Sequence, residues 1–151
     1  MKALTLTQPW ATLVAIGAKR IETRSWKTSY TGPLAIHSAK GFPKWERQFT
    51  LEPVCYEAVR YYARCKGSYP LGCILATCTL VGCVPTEVVD CHDQGNVFAV
   101  SLPKLSEREK AFGDYSPGRF AWILEDVKQL PEPIPVKGAL GLWVWERSDA
   151  A

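Results

Sequence analysis

Apolar positions recur with two distinct periods along the chain, and together they predict a mixture of short strands and short helices. Ala3 to Thr7 alternates as a strand, and Trp10 to Ile16 is a run of apolar helix formers, with Thr7 as its cap and Pro9 in its first turn. Gly17 closes that helix, since glycine takes the left-handed cap conformation without steric cost. From Arg20 to Trp26 the period drops to two, which puts Arg20, Glu22, Arg24 and Trp26 on one face and Ile21, Thr23 and Ser25 on the other. After the turn at Tyr30–Pro33, Leu34 to Ser38 is a strand, broken by Lys40-Gly41-Phe42-Pro43. Lys44 to Phe49 and Val54 to Cys65 have helical spacing, the second with a stripe of Val54, Ala58, Tyr61, Tyr62 and Cys65. Gly72 to Val84 is the longest strand expected, and Thr86 to Asn96 reads as a loop. Ser106 to Phe112 is a short helix with Ser106 as cap and Glu109 at the box position. The turn Tyr115-Ser116-Pro117-Gly118 leads into a strand over residues 119–125. Pro131, Pro133 and Pro135 mark an extended segment, and residues 140–146 form a last strand. Five or six short strands without a βαβ rhythm imply an α+β fold, a mixed sheet curled toward a barrel with helices at its side and ends.

At 151 residues, 47% of them hydrophobic and 22% charged, the chain has the composition of one globular domain over residues 1–151. It opens without the apolar core of a secretory signal, and no stretch approaches the ~18 apolar residues of a membrane span, so a cytoplasmic protein that does not enter a membrane is expected. The net charge of +3 conceals a gradient: residues 1–66 hold 11 Lys/Arg against 4 Asp/Glu, and residues 67–151 hold 7 against 11. A basic half attracts polyanions, of which nucleic acid is the commonest, or it is a solvated charged face. Of the six cysteines only Cys73–Cys78 and Cys78–Cys83 have the spacing of a zinc knuckle, and those three alternate faces along a strand. Buried reduced thiols are expected, with no structural metal and no cofactor.

The densest chemistry lies between Gly17 and Trp26. Lys19 and Arg24 can bind phosphate, one as a point charge and the other through a planar fork. Glu22 can accept from the exocyclic amine of a base, or simply pair with Arg24 to hold its strand. Trp10 and Trp26 are candidates for stacking on an unpaired base, though each also fits a core position. Gln8 reads a base edge or caps a turn. Lys40 is a phosphate contact beside His37 and Ser38, His37 fitting an interior position better than an acid–base role. Tyr115, Ser116 and Arg119 form an anion-holding loop, or a turn in which Arg119 pairs with Asp114. Trp122, Trp143 and Trp145 belong to core packing.

Several stretches together resemble the ASCH domain, the activating-signal-cointegrator homology family of PUA-like β-barrels. They are Leu4-Thr5-Leu6-Thr7-Gln8-Pro9-Trp10-Ala11, the G-x-K-x-x-E-x-R signature from Gly17 to Arg24, Pro33 to Lys40, Tyr115 to Trp122, and Pro133 to Trp143. The resemblance implies a PUA-like barrel with a cleft lined by the signature, and binding of single-stranded RNA, other nucleic acid or a nucleotide. It lends the Tyr115–Arg119 loop a place at the mouth of that cleft, while His37, Ser38 and Lys40 end a strand expected to lie beside Arg20–Trp26. Some relatives are hydrolases, acting on N4-acylated cytidine or as ribonucleases. In that reading Lys19 is the base and Glu22 its companion. The acylcytidine scheme uses a Thr three residues after the Lys, where this chain has Glu22, and Thr23 alternates to the opposite face. A protein-interaction module is the third reading. If the cleft binds RNA, Lys19→Ala or Arg24→Ala weakens binding with little loss of stability.

Overall fold

The computed structural model describes residues 1–90 and 105–146, without the side chains of residues 63–66 and 90. In chain order the elements are β1 (Lys2–Leu6), α1 (Trp10–Ala15), β2 (Ile21–Arg24), β3 (Gly32–Ser38), α2 (Lys44–Phe49), α3 (Pro53–Lys66), β4 (Cys73–Pro85), α4 (Thr86–Asp90), α5 (Glu107–Ala111), β5 (Phe120–Pro135) and β6 (Leu142–Val144). The strands are hydrogen-bonded in the order β2-β5-β4-β3-β1-β6, so β3, expected beside β2, pairs with β1 instead and β2 takes β5 as its neighbour. β1 runs parallel to β3 and antiparallel to β6, and β2 runs antiparallel to β5, so the sheet is mixed as expected. The chain groups into two compact units, one of residues 1–18, 33–78 and 126–151, the other of residues 19–32 and 79–125. The long strands β4 and β5 contribute a segment to each.

In the first unit β1 pairs with β3 from Lys2↔Leu34 to Leu6↔Ser38, and the fully buried Leu4, Leu34 and Ile36 show the two strands to be interior. Ala3, Ala35, Ile74 and Trp145 form a core cluster on which Leu130, Ile134, Val136 and Trp143 pack. α1 buries nearly its whole circumference, which is why Trp10 to Ile16 reads as an uninterrupted apolar run. Its N-terminus is capped differently from expectation. The Gln8 Oε1 accepts from the Thr12 N–H at 3.1 Å, while the Thr7 hydroxyl bonds the Glu46 carboxyl instead. Gly17, at φ +76°, takes the left-handed turn past the helix end, its N–H donating to Val14 O.

Two expectations about the helices are corrected. The buried stripe of α3 is Cys55, Val59 and Tyr62, whereas Tyr61 is 78% exposed. Pro53 starts the helix, and the inward arc falls one residue, about 100°, from the expected one. The Cys65 side chain lies outside the described residues. Residues 86–90, expected as loop, form α4, because Val89 is buried against Ile21, Ala121 and Ile123. Residues 91–96, with Cys91 and His92, lie outside the described residues. The proline segment 131–135 is continuous with β5, whose buried run Ala121–Leu124 gives way to more exposed positions after Asp126, at φ 51°.

The second unit is built on Ile21, Val89, Ala121 and Ile123, with Val84, Leu105 and Tyr115 packed against them. β2 and β5 pair as Ile21↔Ile123, Glu22↔Trp122, Thr23↔Ala121 and Arg24↔Phe120. Opposed residues in an antiparallel pair share a face, so Glu22 and Arg24 stand on the Trp122 side and Ile21 and Thr23 on the core side. Cys55, Cys73 and Cys78 are free and buried, and burial pushes the Cys55 thiol to about 11 and the Cys78 thiol to about 12. No helix among the described residues is long and apolar enough to cross a membrane.

Candidate nucleic-acid interface

Lys19 immediately precedes β2 and is 0% exposed. Its Nζ donates to Ile21 O and lies 3.4 Å from Glu22 Oε2. On the other oxygen of the same carboxylate, Arg24 Nε lies 3.2 Å from Glu22 Oε1. Lysine, glutamate and arginine thus form one ion chain, graded in side-chain exposure from 0% at Lys19 through 11% at Glu22 to 26% at Arg24. A carboxylate this buried is tolerable only because cations flank it on both sides. Only the outer end of the chain is open to a solute.

The backbone entering β2 is held by a residue that the sequence reading left out of the site. Glu109, on α5, accepts from the Arg20 N–H at 3.1 and 3.2 Å and from the Ile21 N–H at 3.0 Å. Ser106 caps α5 as expected, its Oγ accepting from the Glu109 N–H at 3.1 Å, but the Glu109 carboxylate reaches across to β2. The i, i+3 spacing announces the cap; nothing local announces the long-range bond.

A second strap runs from α5 to β5. Thr23 Oγ1 accepts from the Asp114 N–H at 3.0 Å, so the hydroxyl next to Glu22 is engaged on the core side. Asp114 in turn accepts from the Ser116 N–H at 3.0 Å and the Ser116 Oγ–H at 2.6 Å, and lies 3.4 Å from Arg119 Nε. The two Ser116 bonds, with a smaller contribution from Arg119, hold the Asp114 carboxyl below its ordinary range. Arg119 also donates to Asp114 O at 3.1 Å and Thr23 O at 3.4 Å. The loop is therefore the internally paired turn of the sequence reading, and Arg119 keeps partial exposure. Gly113 is glycine for a steric reason: a Cβ there would sit 2.9 Å from the Tyr115 ring and 3.1 Å from Thr23 Cγ2.

Tyr115 packs on this unit's core, yet its hydroxyl is buried without a hydrogen-bond partner among the described residues. Burial, then the Glu109 and Glu22 carboxylates, drive its ionisation far above the usual range, so the group is a neutral O–H donor. Trp26 meets Trp122 edge to face at 4.6 Å and takes the Trp122 indole N–H on its carbonyl at 3.4 Å, leaving Trp26 half-buried.

The remaining candidates belong to the first unit. Gln8 is fully buried, its Nε2 donating to Pro70 O at 2.8 Å besides the α1 cap. Ser38 is fully buried and its hydroxyl bonds Cys73 O at 3.2 Å. Trp10 is half-buried, stacked on Phe49 at 5.3 Å and tilted against the exposed Trp45 at 5.6 Å. Lys40 is exposed. Among the described residues no three His, Cys, Asp or Glu side chains converge on a position suited to a metal ion.

Comparisons with known proteins bear on the family and the fold. The ASCH domain model matches residues 4–134. Activating signal cointegrator 1 of Mus musculus and of Homo sapiens are each 30% identical over 141 residues, covering 93% of this chain but 21% of their own length. The chain therefore spans about a fifth of those relatives. The crystal structure of a ZmASCH mutant protein from Zymomonas mobilis superposes with a TM-score of 0.51 at 11% identity, covering 97% of this chain and 90% of that one. At that identity the likeness is one of fold, the α+β, PUA-like mixed sheet with helices alongside. The family is one generally associated with RNA binding. With the match running through both units, the chain belongs to the ASCH domain family.

Proposed function

We propose that the second unit binds single-stranded nucleic acid, RNA in the first instance, or a nucleotide, at the outer end of the Lys19–Glu22–Arg24 chain. The observation that carries this reading is the Tyr115 hydroxyl, a buried donor without a partner among the described residues, in the field of Glu22. A buried polar group left unpaired costs about 1–3 kcal/mol, and a ligand acceptor offsets that cost. Arg24 and Arg119, each partly exposed, supply the phosphate contacts. Lys19 acts from behind, holding Glu22 in place. Trp26, half-buried beside Trp122, offers a ring surface for stacking.

The hydrolytic alternative needs Lys19 as a base that meets the substrate. Its amine is fully buried and engaged by Ile21 O and Glu22, and the Thr23 hydroxyl is held by Asp114, which favours binding over turnover. Tyr115→Phe tests the proposal by moving two quantities in opposite directions. Fluorescence anisotropy with a labelled single-stranded RNA is expected to show about fivefold weaker binding, as for one lost hydrogen bond. Urea denaturation is expected to show a protein about 1 kcal/mol more stable, because the orphaned hydroxyl is gone. Arg24→Gln should weaken binding as well. RNA affinity unchanged in both variants would overturn the assignment.

A further inference from the structure

A cavity of about 670 Å³ opens in the first unit, and none of its lining residues belongs to the signature. Its size falls in the range of small-molecule sites. Leu71, Val136 and Leu140 give it an apolar wall, Lys40 and Lys137 are its charged residues, and no carboxylate lines it. Leu140 is 98% exposed, an aliphatic side chain left almost wholly in water. Neither lysine makes an ion pair among the described residues.

The polar groups of the wall are arranged in a way that suits an anion. His37 Nε2 donates to Val136 O at 3.0 Å, and the Thr5 hydroxyl donates to Ala139 O at 3.0 Å. His37 Nδ1 lies 3.2 Å from Thr5 Oγ1, which also takes the Trp143 indole N–H at 3.1 Å. Two carbonyls that would otherwise repel negative charge are thereby drawn into internal hydrogen bonds. The same network fixes the segment after β5 against β1 and β3. A Cβ at Gly138 would sit 2.6 Å from His37 Nδ1 and 2.9 Å from Thr5 Oγ1, so this close approach requires glycine. Charge by unit points the same way. The first unit holds 10 Lys/Arg against 7 Asp/Glu, and the second, which carries the signature, holds 8 of each. The chain's entire positive surplus thus resides in the unit with this cavity.

We propose that this cavity binds a small organic anion, its apolar body against Leu71, Val136 and Leu140 and its charge on Lys40 and Lys137. Naphthyl phosphate is a suitable probe, with inorganic phosphate and naphthol as its two halves. Isothermal titration calorimetry on the full chain should show saturable binding of naphthyl phosphate, at least about tenfold tighter than either half alone. Lys40→Gln combined with Lys137→Gln should weaken it about tenfold, and Leu140→Glu, at an exposed position that leaves folding intact, should weaken it comparably. The chain has two histidines, and the imidazole signals of His37, assigned by NMR, should shift on titration. Absence of saturable binding up to several millimolar probe, affinity indifferent to all three substitutions, or an unmoved His37 signal would each overturn the proposal.

Discussion

Lys19 shows how far one residue's role depends on its surroundings. In the sequence it is an exposed phosphate ligand, replaceable by Ala at little cost in stability; in the fold its ammonium is fully buried between Ile21 O and the Glu22 carboxylate. Removing one partner of a buried ion pair strands the other charge. Lys19→Met, which keeps the aliphatic stem, is therefore expected to cost about 3 kcal/mol in urea denaturation, and a Lys19→Met/Glu22→Gln double variant to recover part of it. Additive losses in the double variant would mean that the two side chains do not act as a pair. Arg24, at the partly exposed outer end, is the residue whose loss should affect ligand most, at a smaller cost to the fold than the loss of Lys19. Gln8 and Ser38 carry the same lesson as Lys19. Both are polar side chains beside chemistry-rich stretches, and both are fully buried in hydrogen bonds that complete the backbone, Gln8 at the start of α1 and Ser38 between β3 and β4.

At the scale of elements, α5 does more than its five residues announce. Its cap is written locally as Ser106 with Glu109 three residues on, and the structure has that cap. The Glu109 carboxylate then holds the Arg20 and Ile21 N–H groups where the chain enters β2. Loss of the cap should reach the signature. Ser106→Ala is expected to cost about 1 kcal/mol by thermal or urea denaturation and to speed amide exchange at Arg20 and Ile21, while Ser106→Gly should cost only a few tenths. Unchanged exchange in Ser106→Ala would separate the cap from the strand. Strands were legible wherever alternation was strict, because a half-buried pleat forces it: Glu22 and Arg24 do share a face. Helix faces were harder. In α3 aromatic residues surround the inward arc, and a shift of one residue moves the stripe from Tyr61 to Cys55, Val59 and Tyr62. α4 was missed because two valines in a polar stretch show no period until Val89 has Ile21 and Ile123 to pack on.

For the whole molecule, charge distribution sets how binding responds to salt. The gradient between N- and C-terminal halves does not become a basic signature unit: that unit is neutral, and the surplus of +3 lies in the other. The two phosphate contacts proposed at Arg24 and Arg119 then predict a slope of about −1.4 for log affinity against log salt on single-stranded RNA. A slope near zero in anisotropy titrations would rule out both contacts. By itself the sequence determined the class of fold, the strand that carries Glu22 and Arg24, the α5 cap and the family, since each rests on local periodicity or on a motif confined to neighbouring residues. The tertiary structure decided which of the singled-out side chains reach solvent. It turned Lys19 inward, placed Glu109 and Thr23 as the supports of β2, left the Tyr115 hydroxyl without a partner among the described residues, and gathered Thr5, His37, Lys40 and Lys137 around one cavity. Burial and hydrogen bonding between residues up to a hundred or more positions apart are properties of the packed chain, and no local pattern encodes them.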